Sequence, residues 1–123
     1  MNQENRFDKI VPENLFDSGD LKVLICYLLA AVNEPIPATE TAQLFHYEGI
    51  ANYFDVQTAF YDLERDGFVE STSLGKDLFR ICEKGNDLSK TLKESISNTL
   101  RSKVYNAVIK MLAHYKYRRD TDI

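Results

Sequence analysis

The sequence predicts a mainly α-helical fold with a small β-hairpin, and three observations carry that prediction. Apolar residues recur at helical spacing in four separate segments, within residues 20–32, 40–48, 55–65 and 98–115. One stretch, residues 68–82, is instead rich in strand formers and has a glycine-containing turn in its middle. Asp, Asn, Gly and Pro fall at the joints between these segments, where helix ends require them.

Size and composition agree with such a domain. A chain of 123 residues suits one domain, or one small domain with a long terminal helix. The hydrophobic content of 44% is ordinary for a globular protein and excludes a disordered one. Cys26 and Cys82 are far apart, with no CxxC or Cys/His cluster, so neither a structural zinc nor a cofactor is expected. Buried thiols in a reducing cytoplasm are the simpler expectation. Residues 1–10 lack the apolar core of a signal peptide, and the apolar run 23–32 is too short to span a bilayer. A soluble, cytoplasmic protein with no membrane partner is therefore expected.

The elements follow in order. Residues 1–17 read as a polar arm, with Ile10, Leu15 and Phe16 able to pack back. The first helix is predicted over 20–32, capped by Ser18 or Asp20. Leu21, Leu24, Ile25, Leu28 and Val32 form its stripe, and Val23, Leu29 and Ala31 widen it, so it should be the central core helix. Pro35 stops it, and Pro35-Ile36-Pro37 allows only a short extended piece. Thr39 is the expected cap of a second helix over 40–48, which Gly49 ends. Asp55 is the expected cap of a third, with Val56, Ala59, Phe60 and Leu63 at i, i+3, i+4, i+7 and Asp66-Gly67 closing it. Two strands, 68–73 and 78–82, surround a turn at 74–77. Helix resumes over 86–95, and a last helix restarting near Ser97 or Asn98 carries Leu100, Val104, Val108, Met111, Leu112 and Tyr115 along one side. This is the order of a winged helix-turn-helix with a long C-terminal helix. It divides the chain into an arm (1–17), a winged-helix core (18–85) and a C-terminal helical extension (86–123).

Two segments carry a family likeness. Residues 20–29, from Asp20 to Leu29, look like the opening helix of winged-helix regulators. Asn52-Tyr53-Phe54, Gln57, Leu63, Gly67-Phe68-Val69-Glu70 and Glu83-Lys84-Gly85 resemble a bacterial family described only as domain of unknown function 4364. The resemblance runs from about Asp17 to the C-terminus and implies a winged-helix transcriptional regulator, with no ligand attached to it. The chain departs from the family in two places. Cys82 stands where relatives often carry threonine, and the surface of the third helix is not basic.

Charge is the main clue to function, and it is uneven. Residues 1–75 hold 4 Lys and Arg against 13 Asp and Glu, a balance of −9; residues 76–123 hold 11 against 6, a balance of +5. Such asymmetry fits either a nucleic-acid-facing half or two faces that pair between subunits. In a helix-turn-helix the exposed third-helix residues Gln57, Thr58, Tyr61 and Arg65 would reach base edges and phosphates. Lys76 at the wing tip and Arg80 on its strand would touch the flanking backbone. Asp62, Glu64 and Asp66 on the same helix would repel that backbone. Their alternative is a solvated face with local ion pairs, and a charged hairpin tip equally serves solubility.

Leu100, Val104, Val108, Met111, Leu112 and Tyr115 are the expected homodimer interface, the alternative being fold-back onto the first helix. The end from Lys116 to Arg119 is a phosphate contact or a favourably charged helix terminus. His46 and His114 are isolated from any triad or metal motif, so catalysis is not expected. The aromatic residues name no small-molecule effector. Two readings follow: a dimeric winged-helix regulator that binds DNA with its third helix and wing, or a winged-helix protein-interaction module that uses the acidic third-helix face and binds no DNA.

Overall fold

The computed structural model describes residues 17–121, so the expected arm lies outside the described residues except for Asp17. The side chains of Lys76 and of residues 118–121 also lie outside them. The chain is mainly helical with a small three-stranded antiparallel sheet. In order these elements are α1 (Ser18–Val32), β1 (Ile36–Pro37), α2 (Ala38–Tyr47), α3 (Tyr53–Arg65), β2 (Val69–Thr72), β3 (Gly75–Ile81), α4 (Glu83–Leu92), a 3₁₀ turn (Lys93–Ser95) and α5 (Asn98–Thr121).

The helices fall near the predicted segments, although α4 runs Glu83–Leu92 where 86–95 was expected and α3 begins two residues before its expected cap, and the caps differ. Asp17, not Ser18 or Asp20, caps α1; Asp20 is its reciprocal partner in a capping box. Asn33 ends α1 in the left-handed conformation, at φ 59°. Asn52, not Asp55, caps α3, its Oδ1 accepting from the amides of Phe54 (2.7 Å) and Asp55 (3.3 Å). Thr39 does not cap α2 either. The orphan amide of Thr39 donates instead to Asp77, at 3.2 and 3.1 Å to its two carboxylate oxygens, and the Thr39 hydroxyl donates to the same carboxylate at 3.0 Å. A strand residue 38 positions away thus caps α2 and ties it to the hairpin.

The hairpin turn is tighter than expected. Pairing resumes at Gly75, leaving Ser73 and Leu74 as the connection, and the register shifts between Ser71 and Thr72. The third strand, β1, pairs with β3 through Ile36 opposite Phe79 and Pro37 opposite Leu78, giving the order β1-β3-β2. Pro37 is tolerated because β1 is an edge strand.

Helix α1 sits at the centre, packed against α3, α4, α5 and β3. Leu24, Cys26, Ala42, Phe45, Val56, Val104 and Val108 are fully buried in one core. The position of α5 corrects the expected dimer stripe. Val104, Val108 and Leu112 are buried within the chain's own core, and Leu100 and Met111 pack partly buried against it. Tyr115 is partly buried at the rim of a groove that Leu112 and Leu78 also line. The physical reason lies in α1: a helix apolar on most sides needs cover on most sides, and α5 supplies the last of it.

Helix α4 also approaches the hairpin closely. A Cβ on Gly85 would lie 2.4 Å from the Phe68 carbonyl oxygen and 2.8 Å from Ile81 Cγ1, so only glycine fits. No helix among the described residues is long and apolar enough to cross a membrane.

Candidate functional site

The outer face of α3 is the natural place to look, because the inner face is committed to the core. Val56, Ala59, Phe60 and Leu63 are all buried, and Phe60 meets Phe79 of the sheet at 5.3 Å between ring centroids. Phe54, Thr58, Tyr61 and Arg65 follow at i, i+4, i+7, i+11 along the opposite face. Phe54 is 72% exposed and Tyr61 65%.

The six residues expected at DNA are differently placed. Gln57 is half-buried, and its amide donates to the Tyr53 hydroxyl (3.1 Å) and the Thr39 hydroxyl (3.4 Å). It therefore ties α3 to the start of α2 instead of projecting outward. Thr58 and Tyr61 do stay exposed. Arg65 is clamped by two acids, donating to Asp62 at 2.9 Å and to Asp66 at 3.1 Å, while Lys22 reaches Asp62 from α1 at 3.4 Å. The hydrogen bond to Asp66, then the charges of Asp66 and Asp62, hold the Arg65 guanidinium above its ordinary pKa. The same bond holds the Asp66 carboxyl below its own.

On the hairpin, Arg80 stands opposite Glu70 in the register and forms an ion pair with it across the strands. Lys76 falls in β3, with its side chain outside the described residues. Lys84 is also engaged: it donates to the Asp66 carbonyl at the end of α3 (2.8 Å) and lies over the Phe68 ring, 4.4 Å from its centroid. The cations near α3 whose side chains are described are thus held by neighbours.

Phe54 entered the sequence reading only within the Asn52-Tyr53-Phe54 likeness and not as a site residue. Its spacing to Thr58 and Tyr61 was the signal that could have found it. Asp77 was missed too, because its role exists only once the hairpin and α2 are brought together, whereas the Tyr53–Gln57 bond is an i, i+4 contact within α3.

Helix α5 presents the opposite surface. From residue 98 to residue 119 it carries six Lys and Arg and no Asp or Glu. Arg101 turns inward to the Ile96 carbonyl (3.0 Å) and over the Tyr27 ring, and Lys116 pairs with Glu34 at 2.6 Å. Lys103 and Lys110 are exposed, with no carboxylate among the described residues within ion-pair distance.

Neither thiol is activated. Burial, then the nearby Cys82, pushes Cys26 up to about 12, and burial and the Glu70 charge raise Cys82. His46 and His114 are exposed, and no group of three metal-ligating side chains occurs among the described residues.

The matched segment decides the family: the model described as Domain of unknown function (DUF4364) matches residues 21–123, most of the chain. The chain belongs to the DUF4364 family. Within that family's span lie both surfaces just described, the acidic, aromatic face of α3 and the basic face of α5. Comparison with curated proteins found no match, and neither did comparison with solved structures.

Proposed function

We propose that this DUF4364 chain is a winged helix-turn-helix module that uses its third helix to dock a protein rather than to read DNA. The order α1-β1-α2-α3-β2-β3, with β1 closing the sheet against the hairpin, supports the winged-helix part. One observation carries the rest. The outer face of α3 exposes Phe54 and Tyr61 among acids, while its one arginine is held by Asp62 and Asp66. Exposed aromatics with an acidic rim suit an apolar, basic protein surface. The same acids oppose a phosphate backbone.

The second reading is a dimeric DNA-binding transcriptional regulator. It is favoured by exposed Thr58 on α3 and by the acid-free basic run of α5. A salt series separates the two. Affinity for random duplex DNA is measured against salt for the native chain and for Arg65→Ala. On the docking reading the slopes are equal, because Arg65 neutralises no phosphate. A slope that falls by about 1 in the variant moves α3 onto DNA.

A further inference from the structure

A groove opens where the start of α1 meets α3. Leu21, Ile50 and Ala59 supply its apolar floor, and exposed Asp17, Asp55 and Thr58 its rim, around a volume of about 230 Å³. That lies below the roughly 300 Å³ at which sites for drug-sized molecules begin, and it suits a few side chains of a peptide. The acids along the groove are not equivalent. Asp17 accepts from the Asp20 amide, and Asp62 is shared by Lys22 and Arg65. Asp55 has no cation within ion-pair distance among the described residues.

We infer that the occupant of this groove is residues 7–11 of the same chain, laid along it in extended form. The N-terminal arm, residues 1–16, joins the described chain at Asp17, which itself lines the groove. Five residues, 12–16, separate the segment from Asp17, and at about 3.3 Å each they reach any part of the groove. Pro12-Glu13-Asn14 is turn chemistry, which lets the arm reverse before it enters α1. Phe16 and Leu21 stand one residue before the Asp17 cap and four after it, the positions of a hydrophobic staple, which holds the near end of the arm at the floor. Alternation in an extended segment then puts Phe7, Lys9 and Val11 on one side and Asp8 and Ile10 on the other. The arm as a whole carries Glu4, Asp8 and Glu13 beside Arg6 and Lys9, so register and not net charge makes the match. Phe7 to Val11 covers about 13 Å, against about 10.5 Å along α3 from Asp55 to Asp62. Lys9 meets the Asp55 carboxylate, and Phe7 and Val11 meet the apolar floor. The short tether gives the segment an effective concentration in the millimolar range, so it prevails over the arm of a second copy at micromolar concentration. The bound arm covers Asp55 and Thr58 and competes with a partner for α3; this consequence alone rests on the docking reading above.

Nuclear Overhauser contacts in the full chain test it. The native chain is expected to show contacts from the Phe7 ring and the Val11 methyls to the methyls of Leu21 and Ile50, unchanged on dilution. A variant carrying Phe7→Ser with Lys9→Glu is expected to lose them and to shift the amides of Asp55 and Thr58. The methyls of Val104 and Val108, buried in the core on α5, should keep their native shifts in that variant, which shows that it folds. A native chain without contacts between the arm and the groove overturns the inference. So does a variant, folded by that criterion, whose Asp55 and Thr58 amides stay in place. Contacts that arise between labelled and unlabelled chains in a mixed sample overturn it as well, because the arm would then come from a second copy. Failure of the docking reading is seen elsewhere, in the salt slope of the Arg65→Ala variant.

Discussion

Helices α3 and α5 have the same plan and opposite surfaces. Each buries an apolar stripe, Val56, Ala59, Phe60 and Leu63 in one and Val104, Val108 and Leu112 in the other. Each shows an exposed aromatic on its outer face. Around that aromatic α3 places acids and α5 places lysines. The difference teaches that position in the fold does not set the role of a helix. The helix standing where a DNA reader is expected lacks an unpaired cation among its described side chains, and the helix that holds the spare cations covers the core.

The comparison can be broken at several points. The largest effect is expected from Val108→Asp on the inner stripe of α5. A charge buried in the core should cost about 4 kcal/mol or more, and urea unfolding should show it independently of protein concentration. A folded monomer from this variant would put the stripe between subunits instead. Next comes Asp77→Ala, which removes the carboxylate that caps α2 from the hairpin. A loss of about 2 kcal/mol is expected, while Asp77→Asn, which keeps an acceptor, should lose less.

Releasing Arg65 with Asp62→Asn and Asp66→Asn sharpens the contrast. If the acids are what silence α3, affinity for random duplex DNA at low salt should rise about tenfold in a binding titration. No rise would mean that the face is unsuited to DNA for reasons beyond charge. The smallest effect on stability is expected from Phe54→Ala with Tyr61→Ala. Thermal unfolding of the chain should move by less than about 0.5 kcal/mol, because these rings touch little of the core.

Much of the fold was legible in the sequence, and the reason is local. The i, i+3, i+4, i+7 stripe of Val56, Ala59, Phe60 and Leu63 needs no knowledge of the partner it packs against. Asp66-Gly67 and Pro35 mark ends through backbone chemistry alone. The caps were less legible, since Asp17, Asn52 and Asp55 are similar residues and register decides which one serves. Asp77 could not be read at all, because its contact with Thr39 spans 38 positions. The candidate site divided the same way. Exposure of Thr58 and Tyr61 follows from periodicity. The inward turn of Gln57 and the Arg80–Glu70 pair depend on neighbours from α2 and β2, whereas the clamp on Arg65 comes from Asp62 and Asp66 beside it in sequence, the local ion pairs that were the alternative reading of this face. The fold-back of α5 depended on whether α1 still had an uncovered side, which periodicity of α5 alone does not reveal.

The central claim is that the outer face of α3 meets protein and not DNA. The most direct test is an amide chemical-shift map of the native chain titrated with a short random duplex at about 50 mM salt, where phosphate contacts are strong. The account predicts that the amides of Phe54, Thr58, Tyr61 and Arg65 stay in place throughout the titration. Saturable shifts at those four residues, reversed as salt is raised, would contradict it.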